Sequence, residues 1–192
     1  MGCDIHLYKE KKVDDQWVTA DEGWIDEYNE GYVDVPYDNR FTQRDYDLFG
    51  FLCKGVRRDF DFSLIEKGLP DQMSPEVTAV YKNWGDDAHS ASYLTLTELK
   101  QAWEMLQKTM TPVSGMIHKD QLVKVQETLK SENPDYNLLY PYCKWTNQPG
   151  FVEFNLEIPS SFMLSNVLTL IELFGEVTDD TDNYRIVFWF DN

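Results

Sequence analysis

Polar and apolar residues alternate at the start of the chain, and this pattern predicts a β-hairpin. Over residues 3–11 apolar side chains alternate with polar ones, which is the period of a strand with one buried face. Asp14 and Asp15 predict the turn, and residues 16–19 predict the return strand. The acidic and aromatic segment 21–42 has no regular period, so we expect an irregular excursion there.

Farther along the chain, apolar residues recur every three or four positions, which is the spacing of an amphipathic helix. This pattern predicts helices at 44–54, 74–84, 95–111, 119–131 and 160–174. Strands are predicted at 151–158 and 184–190. The second of these strands is apolar without alternation, which is typical of a central strand that is buried on both faces.

The order of these elements predicts an α+β fold. We expect a small, mostly antiparallel sheet, made of the N-terminal hairpin plus the C-terminal strands, with helices packed on one face of it. The strand–helix–strand order over 151–190 also allows one parallel pair through a right-handed crossover. No repeat or low-complexity linker divides the chain, so we predict a single domain over residues 1–192.

Charge narrows the classes of partner. The chain of 192 residues has 34 acidic and 17 basic residues and a formal net charge of −17. This charge argues against direct binding of nucleic acid or of anionic membranes, because both need basic surfaces. A surface that imitates DNA is the exception, since it needs acidic charge. Three scattered cysteines and the lack of a long apolar run predict a cytoplasmic protein.

Asp4 and His6 are the first candidates for chemistry. They stand two positions apart on one face of the first predicted strand, so their side chains can converge on one small object. Such a pair can bind a metal or act as an oriented general base. The alternative is an ordinary polar pair at the surface of a sheet.

A second polar cluster follows the helix predicted at 74–84. It contains Asp87, His89, Ser90 and Ser92, and we expect it in a loop between two helices. Carboxylates, an imidazole and hydroxyls suit a divalent metal or a phosphate-bearing ligand. The same residue types also serve ordinary turns and helix caps, and the sequence leaves both interpretations open.

Arginines form the third group of candidates. Arg44, Arg57 and Arg58 are scarce positive charges in an acidic chain, and the planar guanidinium is suited to a two-pronged grip on phosphate. The alternative for each of them is a structural ion pair with a nearby aspartate, such as Asp47 or Asp59.

Five blocks of sequence resemble those of one family. The blocks are MGCDIHLYKE at the start, RDYDLFGFLCKGVR, GLPDQMSPEV, WGDDAHSASYLTLTEL and the closing RIVFWFDN. Over most of its length the chain resembles an uncharacterised family of phage and prophage proteins that opens with MGCDIH and carries an HSxSYLTL run. The resemblance implies a phage context, in the host cytoplasm, and a shared set of polar residues: Asp4, His6, Arg44, Asp47, Arg57, Asp87, His89, Ser90 and Ser92. Where the family has a second histidine in this run, the chain has Ala91, which weakens a metal-site interpretation.

We therefore expect a phage accessory protein that binds a small phosphorylated, nucleotide-like ligand and sequesters a host defence signal. The predicted ligand-binding residues are His6, Arg44, Arg57, His89, Ser90, Ser92 and Tyr93. An aromatic ring of Tyr46, Trp84 or Tyr93 would stack on a base.

Two alternatives stay open. A metal-dependent phosphoesterase or other hydrolase would hold a divalent metal cofactor with Asp4, His6, Asp87 and His89, and a bound water would be the nucleophile. An acidic interaction module, or DNA mimic, would instead bind a host protein. Ligand capture ranks first because the chain lacks a recognised catalytic motif and the second histidine of the HSHS run.

Overall fold

The computed structural model describes residues 2–26, 31–177 and 180–191. The strands are β1 Asp4–Val13, β2 Gln16–Thr19, β3 His89–Thr95, β4 Met110–His118, β5 Phe151–Pro159 and β6 Tyr184–Asp191. The α-helices are α1 Tyr46–Leu52, α2 Pro75–Trp84, α3 Leu96–Lys108, α4 Lys119–Thr128, α5 Ser160–Met163 and α6 Asn166–Glu172. No helix in these ranges is both long and apolar enough to cross a bilayer.

The chain groups into two compact units. The first unit comprises Met1–Trp103 and Leu164–Asn192, and the second comprises Glu104–Met163. The prediction of one domain over residues 1–192 stays a prediction.

The first unit is built on a four-stranded sheet with the order β2-β1-β6-β3, in which each pair is antiparallel. Strand β6 lies between β1 and β3, and its residues 185–190 are all buried, as predicted for a strand covered on both faces. The sheet therefore joins the N-terminal hairpin to the C-terminal strand, which confirms the predicted α+β fold.

The hairpin turn follows directly from its sequence. Val13 pairs with Gln16, which leaves a two-residue loop of Asp14 and Asp15 with φ of 49° and 62°. Two central residues with positive φ make the tight turn whose twist matches that of the flanking strands, and aspartate tolerates this conformation better than most side chains.

Helices cover both faces of this sheet, not one face as the sequence suggested. On one face, Val77 and Val80 of α2 pack in a buried cluster with Tyr8 and Trp189. On the other face, the ring of Phe49 from α1 lies 5.2 Å from that of Phe190. Neighbouring residues of β6 point to opposite faces, so each helix meets its own row of aromatic side chains.

A buried ion pair fixes the start of α2 against the sheet. Glu10 and Arg185 are paired across β1 and β6, and their side chains are 0% and 5% exposed. Arg185 Nε donates to Glu10 Oε2 at 2.8 Å, and the other carboxylate oxygen accepts from the backbone N–H of Ser74 at 2.6 Å. Ser74 also caps α2, as predicted, because its hydroxyl accepts from Val77 N at 3.3 Å.

Three sequence predictions in this region are wrong. Residues 89–95 form strand β3, although residues 86–92 were expected to be a loop. The helix predicted to reach residue 111 ends at Lys108, and β4 follows it. Strand β5 pairs antiparallel with β4, so no parallel pair forms with β6.

The remaining helix predictions hold with adjusted limits. The segment 160–174 contains two short helices, α5 and α6, where one was expected. In the irregular segment 21–42, Ile25 pairs with Asp34 and a single helical turn covers Tyr37–Asn39, whereas residues 27–30 lie outside the described residues.

The second unit has its own small core. Strands β4 and β5 form a two-stranded antiparallel sheet, and α4 contributes Val125 to the buried cluster beside it. Alternate residues of β4 are buried, which is the pattern of a strand with one covered face. The other buried members are Val113, Ile117, Leu139, Phe154 and Ile158.

Candidate functional site

A cleft of about 510 Å³ opens in the first unit beside the amino-terminal end of β1, and we refer to it as the β1 pocket. Its size falls in the range of about 300–1,000 Å³ that is usual for small-molecule sites. The side chains that give it chemical character are Asp4, His6, Tyr37, Arg40, Arg44, Trp84 and Asp191. It thus combines two guanidiniums, two carboxylates, an imidazole and two accessible aromatic rings, and the buried rings of Tyr8 and Phe41 complete its wall.

Arg44 reaches the pocket from the segment before α1 and grips Asp4 with two hydrogen bonds. Arg44 Nε donates to Asp4 Oδ1 at 2.7 Å, and Arg44 Nη2 donates to Asp4 Oδ2 at 2.5 Å. These bonds hold the pKa of Asp4 below its usual range. About half of each side chain is exposed, 52% for Arg44 and 48% for Asp4. Because water surrounds this pair, its net contribution to stability is small, and Arg44 can exchange its partner.

Arg40 is held more firmly. Its Nη2 lies 2.9 Å from Asp34 Oδ2, and its Nε donates to the backbone carbonyl of Val35. The other oxygen of Asp34 accepts from the hydroxyl of Tyr8 at 3.0 Å. Arg40 is therefore a fixed positive group in the pocket wall, whereas Arg44 is the adaptable one.

His6 lies between a ring and a carboxylate. Its ring is 4.0 Å from that of Trp84, and its Nε2 lies 3.4 Å from Asp191 Oδ2 without the alignment of a hydrogen bond. Burial lowers the pKa of His6, and the nearby Asp191 carboxylate opposes this shift only in part. The imidazole is thus biased toward its neutral form.

The polar cluster around β3 does not join His6. His89 pairs with Phe190, which in turn pairs with Ile5, so His89 lies on the face of the sheet opposite to His6. Its Nδ1 is 3.2 Å from the hydroxyl of Ser90, which has a φ of 51° where β3 bulges.

The other predicted ligand-binding residues contact neighbouring protein groups. The hydroxyl of Ser92 accepts from the backbone N–H of Lys67 at 3.0 Å, and the ammonium of Lys67 lies 4.0 Å from the ring of Tyr93. Arg57 Nη2 donates to the backbone carbonyl of Gly2 at 2.5 Å, and its guanidinium is 5.5 Å from the ring of Tyr46. None of these four predicted residues, Arg57, Ser92, Tyr93 or the stacking candidate Tyr46, lines the β1 pocket.

The residues predicted to hold a metal are also separated. Asp4 and His6 share the β1 pocket, but His89 is on the other face of the sheet and Asp87 is exposed in the turn after α2. Among the residues that the structure describes, no group of three or more histidines, cysteines, aspartates or glutamates is arranged to hold a metal ion.

Comparison with family models, with curated proteins and with solved structures finds no match. The resemblance to phage proteins therefore stays a prediction.

Three pocket residues, Tyr37, Arg40 and Asp191, were not predicted as site residues from the sequence. Asp191 reaches Asp4 because the first and last strands pair, and its carboxylate accepts from Asp4 N at 3.0 Å across 187 positions of sequence. Arg40 lies in the segment without periodicity, yet it is as scarce a positive charge as Arg44, and that scarcity was a usable signal.

Proposed function

We propose that the protein binds a small phosphorylated, nucleotide-like ligand in the β1 pocket, as a phage accessory protein that captures a host signal without transforming it. The observation that carries this proposal is the presence of two arginines and two aromatic rings in one cleft of about 510 Å³. Among the residues predicted from the sequence, His6, Arg44 and the stacking candidate Trp84 meet there.

Arg44 is the proposed phosphate ligand. Half of its side chain is exposed, and its present partner is a single carboxylate held in the same two-pronged way that a phosphate is held. A phosphate offers several acceptor oxygens to the guanidinium, and the exposed pair with Asp4 contributes little to stability. A bound phosphate can therefore replace or share the contact with Asp4.

Tyr37 and Trp84 are the proposed platforms for a base. Tyr37 is 67% exposed although its ring is large and apolar, and it borders the pocket. The ring of Trp84 already packs against that of His6 at a tilt of 39°, which keeps it at a fixed place in the wall. Stacking of a base on an aromatic side chain contributes about 1–3 kcal/mol and tolerates different bases.

Isothermal titration of the full chain tests the proposal with nucleotides, the matching nucleosides and inorganic phosphate as probes. Arg44→Gln should weaken nucleotide binding by about tenfold or more, since that factor corresponds to 1.4 kcal/mol, and should leave nucleoside binding nearly unchanged. Tyr37→Ala should weaken the binding of nucleotides and the binding of nucleosides to the same extent.

Matched controls exist for both variants. Arg58 is as exposed as Arg44, and Arg58→Gln disrupts its ion pair with Asp47 outside the pocket; Tyr140→Ala removes a ring of the second unit that is as exposed as that of Tyr37. Neither control should change binding. Lack of binding across all probes, or equal effects of Arg44→Gln and Arg58→Gln, would refute the proposed site.

A further inference from the structure

The ionisable groups that line the β1 pocket balance one another. Arg40 and Arg44 supply two positive charges, and Asp4 and Asp191 supply two negative ones, so the sum is zero. Asp34, which holds Arg40 at 2.9 Å, adds a further negative charge just behind the wall. His6 adds no charge at neutral pH because burial lowers its pKa below the ordinary value of 6.5.

A phosphate that contacts Arg44 cannot avoid Asp4. The carboxylate occupies the Nε and Nη2 edge of the guanidinium, and Gly2 lies beside its Nη1 end, since a Cβ added at Gly2 would be 3.2 Å from Nη1. A ligand phosphate must then share the guanidinium with Asp4 or displace it by a short distance. In both cases the two anionic groups end close together.

The charge of the ligand decides how much this proximity weakens binding. A phosphomonoester carries about −1.5 to −2 charges at neutral pH, whereas a phosphodiester carries one. When Asp34 is counted, three carboxylates oppose two guanidiniums, so the second charge of a monoester meets more repulsion than attraction.

We propose that the β1 pocket selects phosphodiesters over phosphomonoesters, and that Asp4 and Asp191 set this selectivity. The proposal rests on the proposed function, since it names the phosphate chemistry of the ligand captured there. It assigns Asp4 a role as an internal competitor for Arg44 and not as a metal ligand.

Titration calorimetry with paired probes tests the selectivity. Each nucleoside 5′-monophosphate is compared with its own methyl ester, which has the same base and sugar but a single charge. The wild-type protein should bind the methyl ester more tightly by about threefold or more, the effect of one unit charge several ångströms away in water-like surroundings. Asp4→Asn and Asp191→Asn should each shift the preference toward the monophosphate, and Asp47→Asn, next to Arg58, should leave it unchanged.

The outcomes separate this inference from the proposed function. A shift of the preference in Asp4→Asn or in Asp191→Asn supports the inference, and either variant is sufficient if the other fails to fold. Equal or tighter binding of the monophosphate by the wild type overturns the inference but leaves nucleotide capture intact. A preference for the ester that neither variant alters overturns the assignment to the carboxylates. Absence of binding by every probe overturns both.

Discussion

Replacing Glu10 with alanine tests how strongly the buried ion pair organises the first unit. The carboxylate is fully buried, and it accepts from Arg185 Nε at 2.8 Å and from Ser74 N at 2.6 Å. The guanidinium of Arg185 also lies 3.7 Å from the ring of Trp17, so it is enclosed on that side as well. In Glu10→Ala the guanidinium of Arg185, which is 5% exposed in the wild type, keeps its charge and loses its anionic partner.

The size of the effect follows from that burial. Removal of one partner of a buried ion pair lowers the free energy of unfolding by about 3–5 kcal/mol, because an uncompensated charge remains in the interior. For a chain of 150–250 residues, 1 kcal/mol corresponds to about 2–4 °C in melting temperature. We therefore expect Glu10→Ala to melt about 10 °C below the wild type. An exposed pair such as Arg58–Asp47 contributes only about 0–1 kcal/mol.

Urea unfolding followed by tryptophan fluorescence measures this difference, with Arg58→Gln as the control. Glu10→Leu combined with Arg185→Met removes both charges and should recover much of the stability that Glu10→Ala loses. A loss below 1 kcal/mol in Glu10→Ala, no larger than that of Arg58→Gln, would show that the pair does not organise the fold.

Two further predictions concern other buried positions. Burial lowers the pKa of His6 from its ordinary value of 6.5, so as pH drops the imidazole is protonated in the unfolded chain before it is protonated in the folded one. The urea midpoint should therefore fall as pH drops from about 7.5 to 5.5. His6→Gln should reduce this dependence of the midpoint on pH, and an unchanged dependence would contradict the prediction. In Gly50→Ala the new Cβ would lie 2.1 Å from the backbone oxygen of Arg58, so α1 must move. We expect the free energy of unfolding to fall by about 1–3 kcal/mol in the same assay. Wild-type stability of this variant would contradict the close approach.

Local signals in the sequence predicted most of the elements. The hydroxyl of Thr95 accepts from Glu98 N at 3.1 Å and the carboxylate of Glu98 accepts from Thr95 N at 2.8 Å, so the capping box that predicted α3 is formed. Ser74 and Pro75 begin α2, and Gly85 ends it. These signals are reliable because each one satisfies backbone groups within a few residues of itself.

Strands β3 and β4 were missed for different reasons. Residues His89–Ser92 are polar and small, and they form a strand because β6, almost a hundred positions later, pairs with them. No local pattern carries that information. For β4 the pattern is present, since Thr111, Val113 and Ile117 are buried on one face, but a proline such as Pro112 is also typical of the end of a helix, and here it lies within the strand.

For the site, too, local patterns in the sequence were informative and the pairing of distant strands was not predictable. Alternation along β1 correctly placed Asp4 and His6 on one face, and charge scarcity selected Arg44, which lines the same pocket. The same reasoning grouped His89 with His6, because distance in sequence says nothing about which face of a sheet a distant strand presents. Only the register of β6 with both β1 and β3 separates the two histidines.

The buried ion pair and the pocket are connected through one helix. Glu10 binds the backbone just before α2, and Trp84 at the other end of α2 lines the β1 pocket. Ten helical residues rise about 15 Å, so a group fixed at one end sets the position of the other. Val77 and Val80 hold the middle of the helix against Trp189. A residue far from the pocket thus helps to position the proposed stacking ring, and no local pattern indicates this because Glu10 and Arg185 are 175 positions apart.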